Sequence, residues 1–229
     1  MKVLVVSAHP DDEVLGCGAT LARHVAAGDE VSVLFLSEGV SSRSTPGQQR
    51  DWTKEIEERE GFARRASESL GFSIAGFLRH PNLRMRGLPM LDLVKQVDAV
   101  IRERAPQVVY THHAGDMNTD HGVAVEATLT ACRPVAGLSV RAIYAFEVLS
   151  STEWNSPAVA APFAPTRYVD VTAFLDRKIE AMKCYDHEMR EMPHPRSPEA
   201  VQALARYRGV SIGVAAAEAF VVLRELVRD

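Results

Sequence analysis

The sequence predicts an α/β fold in which helices cover both faces of an open, mostly parallel β-sheet. Short runs rich in β-branched residues alternate with segments that carry apolar residues at helical spacing, which is the rhythm of β-α-β units. The apolar runs lack the alternation of half-exposed strands, as expected of strands covered on both sides. At 229 residues we expect one domain, with residues 1–135 as its sheet-based core and residues 136–229 adding strands, helices and pocket segments.

The first part of the chain supplies four predicted strands and the helices between them. The strands are predicted over residues 2–8, 30–37, 72–78 and 106–112. The helices are predicted from about residue 12 to Gly28, over 53–70 with Gly71 at the end, and near 90–104. The polar segment 38–51 is predicted to be a long loop, and such loops in compact domains are usually functional or mobile.

After Ala131 the pattern loosens. Further strands are predicted over 140–146 and 167–171. Thr172 can cap a helix that runs to about Met189, and Ser197–Pro198 is a typical helix start. The last apolar segment, "AAAEAFVVLREL", fits either a helix or an edge strand.

The composition excludes several classes of protein. Hydrophobic residues make up 46% of the chain, and the formal net charge of −4 gives no electrostatic case for binding nucleic acid or an anionic membrane. The three cysteines are far apart, so neither a disulfide framework nor a cysteine zinc site is expected. The first apolar run is shorter than the ~7 to 15 residues of a signal peptide, and no stretch approaches the ~18 of a membrane span. We expect a cytoplasmic protein with a small-molecule partner.

Polar residues cluster where two predicted strands end. "SAHPDDE" (7–13) follows the first strand, and "THHAGDMNTDHG" (111–122) follows the fourth. In open parallel sheets, ligands bind beyond the carboxyl ends of the strands. We therefore expect the two clusters to share one crevice.

The residues of this crevice suit a metal ion. His9 and Asp12 offer two ligands from one tight turn, and His121 can offer a third, which leaves a position for water as catalytic zinc sites do. A plain helix cap by Asp11 and Asp12 is the alternative. The metal site is favoured because clustered carboxylates repel one another unless a cation lies between them. Neighbouring residues in a turn point in different directions, so Asp12 can bind the metal while Asp11 stays free to act as a base.

The hexapeptide "AHPDDE" after an N-terminal strand, with a later "DH" at a helix start, resembles the LmbE-like, or PIG-L, family of zinc-dependent amidases. The resemblance covers most of the chain and implies a Rossmann-like fold. It also implies that His9, Asp12 and His121 bind Zn²⁺ and that Asp11 is the general base. The implied activity is removal of the N-acetyl group from an amino-sugar conjugate, with release of acetate and a free amine.

One position departs from the family pattern. Members commonly carry a histidine three residues before the ligand histidine, thought to stabilise the oxyanion, and this chain has Asn118 there. An amide can donate a hydrogen bond but cannot deliver a proton, so either acid help comes from elsewhere or Asp11 does both jobs. His194 is the preferred replacement because a proline on each side restricts its backbone, with His113 and Asn118 itself as alternatives.

The remaining candidate residues also have purely structural interpretations. Asp116 and Asp120 can fix the tautomer of a ligand histidine or simply form a turn and a cap. One of the neighbours His112 and His113 can reach the crevice while the other packs. Arg43 and Arg59 can bind a substrate phosphate or hydroxyls, although a solvated surface position is the expected interpretation for both. Arg196 can bind substrate beside His194.

The "PHPRS" stretch (193–197) is either a rigid connector or part of the site. It can fold over its own crevice or reach into that of a neighbouring copy, which leaves a homo-oligomer open. The substrate can be a conjugate of a nucleotide diphosphate, a lipid carrier, inositol or another sugar. Two other functions remain: an amidase for a thiol conjugate or acylated natural product, and a non-catalytic Rossmann-like nucleotide-binding protein. Metal content and acetate release separate them.

Overall fold

The computed structural model describes residues 1–43 and 50–227, so part of the predicted loop over 38–51 lies outside the described residues. Its seven strands are β1 (Lys2–Ser7), β2 (Glu30–Ser37), β3 (Ser73–His80), β4 (Val108–His112), β5 (Ala142–Phe146), β6 (Arg167–Asp170) and β7 (Ala217–Glu225). The six helices longer than two turns are α1 (Asp12–Ala26), α2 (Thr53–Leu70), α3 (Met90–Arg104), α4 (Thr119–Ala131), α5 (Leu175–Met182) and α6 (Pro198–Val210).

The strands form one sheet in the order β3-β2-β1-β4-β5-β7-β6. Strands β1 to β5 pair in parallel, whereas β7 is antiparallel to both β5 and β6. The predicted mostly parallel sheet is therefore confirmed. Because β1 pairs directly with β4, the chain segments that follow these two strands leave the sheet side by side.

Two hydrophobic clusters, one on each face, show that helices cover the sheet on both sides, as predicted. One cluster joins α1, α2, α5 and α6 to the sheet, and the other joins α3 and α4 to it. The first layer is tight at Gly16 in α1, where an added Cβ would lie 2.2 Å from a ring carbon of Phe146. Glycine, which has no Cβ, allows the helix to pack this closely on the sheet at this position.

The first helix is broken and is held by the last strand. Cys17 has non-helical backbone angles (φ −144°, ψ 16°), which frees backbone N–H groups in the following turn. The carboxylate of Glu218 on β7 accepts hydrogen bonds from the N–H groups of Ala19 (3.2 Å) and Thr20 (2.7 Å). Lys178 balances this buried charge through an ion pair of 2.6 Å with Glu218.

Two predictions for the second part of the chain need correction. The helix expected from Thr172 to about Met189 ends as α5 at Met182, and a 3₁₀ segment follows over Lys183–Glu188. Tyr185 interrupts it with φ −105° and ψ 46°, because the buried ring turns inward and its hydroxyl reaches Glu13. The segment left open between helix and edge strand is the strand β7, and it lies inside the sheet instead of at its edge.

The other predicted elements lie within two residues of their expected bounds. Gly71 ends α2 in the left-handed conformation (φ 86°), and the Ser197 hydroxyl caps α6 by accepting from the N–H of Ala200. No helix within the described ranges is both long and apolar enough to cross a bilayer.

Candidate metal centre and active site

The two polar clusters meet at the carboxyl ends of β1 and β4. His9 and Asp11 lie in the turn between β1 and α1, Asp12 is the first residue of α1, and His121 lies in the first turn of α4. All four side chains are buried. The shared crevice predicted from the strand order is confirmed.

Three side chains point ligand atoms at one another. His9 Nδ1 lies 3.0 Å and His121 Nε2 lies 3.2 Å from the same oxygen, Oδ2 of Asp12. These ligand atoms all lie within 4.8 Å of one another. For a tetrahedral zinc site with ligands at ~2.0 Å from the ion, neighbouring ligand atoms would be about 3.3 Å apart, so the observed separations suit an ion at the centre.

Two further carboxylates set which nitrogen of each imidazole is free. Asp120 lies 3.2 Å from His9 Nε2, and Asp116 lies 3.0 Å from His121 Nδ1. With a cation bound beside Asp12, each of these carboxylates would accept the ring N–H that faces it, which leaves lone pairs on His9 Nδ1 and His121 Nε2 for the ion. These are the two nitrogens that face Asp12.

The donor set therefore fits a zinc ion. His121 Nε2 is buried and has no hydrogen bond of acceptable geometry within the described residues, although it lies near Asp12. A buried nitrogen without a partner is costly unless a ligand or ion satisfies it. Two imidazoles and one carboxylate suit zinc, and three protein ligands are the number found in catalytic zinc sites.

Electrostatics around the three ligands favour a positive charge. Burial lowers the pKa of His121, but Asp12 and Asp116 outweigh it and raise that pKa to about 10. Burial likewise raises the pKa of Asp12, but His121 and His112 hold it well below its usual range. In the absence of a metal ion the carboxylates attract protons to the same place, since a proton and a cation meet the same negative field.

The backbone of Asp11 is strained in a way that aims its side chain. Its φ of 126° lies in the region that favours glycine, and a non-glycine residue there costs about 1–3 kcal/mol. Oε2 of Glu13 accepts the backbone N–H of Asp11 at 2.9 Å, and Oε1 accepts the hydroxyl of Tyr185 at 2.5 Å. Glu13 thus holds the strained turn, and Asp11 makes no side-chain cap to α1.

Two arginines hold one oxygen of Asp11. Its Oδ2 lies 2.9 Å from Arg196 Nη1 and 3.0 Å from Arg59 Nη2. Both arginines also pair with Glu188. Burial raises the pKa of Asp11, although the two guanidinium groups act in the opposite direction. The arrangement leaves Oδ1 of Asp11 as the oxygen available to a reacting molecule.

A cavity of about 160 Å³ opens beside these groups. Its lining joins the metal cluster to the arginines and consists of His9, Asp11, Gly39, Ser42, Arg43, Arg59, Asn82, Leu83, Asn118, Glu188 and Arg196. The three arginines predicted from the sequence therefore lie together at this cavity. For Arg59, the solvated-surface alternative is wrong, because only 4% of the residue is exposed.

The replacements proposed for the family histidine lie in different places. Asn118 lines the cavity, and its Oδ1 accepts the N–H of Asp120 as the N-cap of α4, which leaves Nδ2 as a donor. His194 packs edge-on against Trp154, and its Nδ1 accepts the backbone N–H of Arg196 at 3.0 Å. His113 contacts the carbonyl of Ala161 at 3.1 Å. Neither of these two histidines is among the lining residues of the cavity.

Of the two neighbours left open by the sequence, His112 is the one that reaches the cluster. Its Nε2 accepts the backbone N–H of Ala8 at 2.9 Å, and its ring stacks on that of His121 with centroids 4.0 Å apart. Residues alternate between the faces of a strand, and His112 shares a face with Tyr110, which packs beneath α1. The alternation of side chains along the strand is the sequence signal that could have distinguished His112 from His113.

Comparison with known proteins identifies relatives of this chain. Residues 4–132 match the model of the family described as "PIG-L: GlcNAc-PI de-N-acetylase". The uncharacterized deacetylase YaiS of Escherichia coli (strain K12) is 30% identical over 138 residues, which are 58% of this chain and 69% of that protein.

A second relative is the 1D-myo-inositol 2-acetamido-2-deoxy-alpha-D-glucopyranoside deacetylase of Kineococcus radiotolerans, which is 32% identical over an alignment of 165 residues. The match covers 59% of this chain and 46% of that protein. The match thus spans about half the length of that relative. Among solved structures, the 4-carboxy-2-hydroxymuconate hydratase GalB of Pseudomonas putida KT2440 is similar with a TM-score of 0.77 and 24% identity, covering 100% of this chain and 98% of that one. This likeness shows a shared fold and no more.

Proposed function

Because the chain belongs to the PIG-L, or LmbE-like, family, we propose that it is a zinc-dependent hydrolase that removes the acetyl group from an N-acetylated amino-sugar conjugate. The observation that carries the proposal is the convergence of His9 Nδ1, Asp12 Oδ2 and His121 Nε2 within 4.8 Å of one another, beside the buried carboxylate of Asp11. Three ligands next to a free base are the minimum set for hydrolysis of an amide by a metal site.

His9, Asp12 and His121 would hold the ion, with Asp120 and Asp116 orienting the two imidazoles. The chemistry supplied by bound zinc would be polarisation of the amide carbonyl and a lower pKa for water, from ~15.7 toward ~7. Zinc is preferred because its usual protein ligands include histidine nitrogen and aspartate oxygen.

Asp11 acts as general base and then as general acid. Oδ1 of Asp11 takes a proton from the attacking water, and the new C–O bond converts the amide carbon to a tetrahedral centre. The same carboxyl group then gives the proton to the nitrogen as the C–N bond breaks, which yields acetate and a free amine. Arg59 and Arg196 keep Oδ2 in place during both transfers.

Asn118 stands where the oxyanion needs a donor. Its Nδ2 can donate a hydrogen bond to the developing charge, and this role requires no proton transfer. His194 acts on the site through Arg196, whose backbone N–H it accepts, and is therefore a positioning residue.

The arginines favour substrates rich in oxygen. Arg43, Arg59 and Arg196 line the cavity with only two carboxylates, Asp11 and Glu188, to balance them. Guanidinium groups bind phosphate and carboxylate oxygens in a fork geometry and also donate to hydroxyls. An amino-sugar conjugate with a phosphate or carboxylate substituent matches this lining better than a neutral lipid-linked one.

A panel of N-acetylglucosaminyl conjugates tests the proposal, with acetate release measured for the purified protein and zinc measured in the same samples. We expect about one zinc per chain, loss of activity with a chelator and recovery with added zinc. His121→Ala serves as the matched control and should lack both zinc and activity. Hydrolysis of acylated thiol conjugates alone would favour the other amidase, and a chain with neither metal nor hydrolysis would refute the proposal in favour of a binding protein.

A further inference from the structure

A second cavity lies at the opposite end of the sheet from the metal cluster. It has a volume of about 250 Å³ and is lined by α1, β4 and β6, with Thr20, Arg23, His24, Asp29, Tyr110 and Arg167 among its residues. We call it the basal cavity. Met1, Ala27 and Asp29 place part of its lining at the start of β1, and Tyr110 extends the lining to the middle of the sheet.

The lining holds polar atoms that lack partners. Thr20 is 1% exposed, and its hydroxyl has no hydrogen bond among the described residues. The Nε of Arg167 is buried and equally unpaired in the described part of the chain. Leaving such a group unsatisfied is costly, and a side-chain rotation that turns it toward the cavity would let a bound molecule satisfy it.

The charges at the basal cavity are unbalanced toward the positive. Arg23 and Arg167 form no ion pair with any carboxylate of residues 1–43 or 50–227. Asp29, the acid in the lining, is already paired with the amino group of Met1 and with His24. Arg167 is held above the ring of Tyr144 with 4.3 Å between its guanidinium carbon and the ring centroid, which fixes the cation beside the cavity.

The floor of the basal cavity is aromatic and fixed. The hydroxyl of Tyr110 lies 3.1 Å from His24 Nε2, and His24 Nδ1 lies 2.7 Å from Asp29. This relay and the neighbouring ring of Phe220, at 5.1 Å, hold the Tyr110 ring in one orientation. A rigid ring beside two unpaired cations offers one apolar contact and one anionic contact to the same molecule.

We propose that the basal cavity binds a small organic anion. Its carboxylate or phosphate group pairs with Arg23 and Arg167, the hydroxyl of Thr20 turns toward it and donates, and its apolar part lies against the side of Tyr110 that lines the cavity. A volume of 250 Å³ equals about eight water molecules at ~30 Å³ each, which suits a molecule the size of a single ring. This site is independent of the proposed hydrolase activity.

Calorimetric titration of the metal-loaded protein with benzoate, inorganic phosphate and neutral benzyl alcohol tests the proposal. We expect saturable binding of benzoate, phosphate or both, and the preferred anion identifies the group that the site selects. Arg167→Gln should weaken binding by about tenfold or more, and Thr20→Val by about threefold to tenfold. Arg102→Gln, an exposed arginine on α3 paired with Asp98, is the matched control and should bind unchanged.

His121→Ala separates the two sites, because an anion that binds the metal centre would lose its affinity in this variant. Retained binding in His121→Ala supports the basal cavity. The proposal is overturned if benzyl alcohol binds as tightly as benzoate, if Arg167→Gln leaves anion binding unchanged, or if neither anion binds saturably at millimolar concentration.

Discussion

Replacing Asp11 by Asn separates the role of this side chain in proton transfer from its role in the arginine network. The amide can turn its oxygen toward Arg196 and Arg59, which lie 2.9 and 3.0 Å from Oδ2 in the native chain, and then presents an NH₂ group where Oδ1 stood. This group has no lone pair to accept a proton. We expect kcat to fall by about 10²- to 10⁴-fold, which corresponds to about 2.7–5.4 kcal/mol in activation free energy at 1.36 kcal/mol per tenfold.

The same change lowers stability to a limited extent. Arg59 is buried and loses one of its two carboxylate partners, but Glu188 remains paired with it. The loss in free energy of unfolding should therefore stay below the ~3–5 kcal/mol of a fully broken buried pair. Because Asp11 is not among the three converging ligand residues, zinc content should not change.

Glu188→Gln is the matched control for Asp11→Asn. It removes a negative charge from the same arginines but leaves the proposed base in place. Urea unfolding should report similar losses for both variants, while acetate release should fall steeply only for Asp11→Asn. A normal rate for Asp11→Asn with full zinc would identify another base, and equal loss of activity in both variants would assign the effect to the arginine network.

Five further outcomes are expected. In chelator competition, His121→Ala should lower zinc affinity by about 100-fold or more. Asp116→Asn replaces the carboxylate that orients the same imidazole and should lower zinc affinity by about 10- to 100-fold. An unchanged affinity in either variant would refute the role of that residue. His194→Ala should lower kcat by less than about tenfold, since its ring contacts backbone outside the cavity, and a larger fall with KM unchanged would instead support a direct role. Gly16→Ala places a Cβ 2.2 Å from a ring carbon and should destabilise the fold by about 1–3 kcal/mol in urea. Gly122→Ala meets open space within a helix and should stabilise by up to ~1 kcal/mol, so equal effects of the two glycine substitutions would contradict the packing argument.

The sequence predicted the sheet and the converging side chains because both depend on local patterns. Strand order brings the ends of β1 and β4 together, and the identity of the residues there is enough to suggest a metal. The short segment after α5 was predicted wrongly because Tyr185 leaves the helix to reach Glu13, a contact between residues 172 positions apart. Local helical spacing carries no information about such a contact.

The residues that contact Asp11 could likewise not be predicted from the sequence. Glu188 was not a candidate, because one acidic residue in a predicted helix looks like a solvated one. Its importance appears only when Arg43, Arg59 and Arg196 converge on it from three separate segments. The arginines could be named as candidates from the sequence, whereas their mutual arrangement needed the folded chain.

The hydrogen bonds between Glu218 and the broken turn of α1 also bear on when the fold is completed during synthesis. The N–H groups of Ala19 and Thr20 receive their acceptor from a strand that follows some 198 residues later in the chain. A chain still emerging from the ribosome has the AHPDDE turn but lacks the strand that secures the helix behind it. Contacts of such long sequence separation form late and slowly. We therefore expect α1 to be held firmly behind this turn only after β7 has been made, and a fragment that ends before β7 should unfold α1 more readily than the whole sequence does.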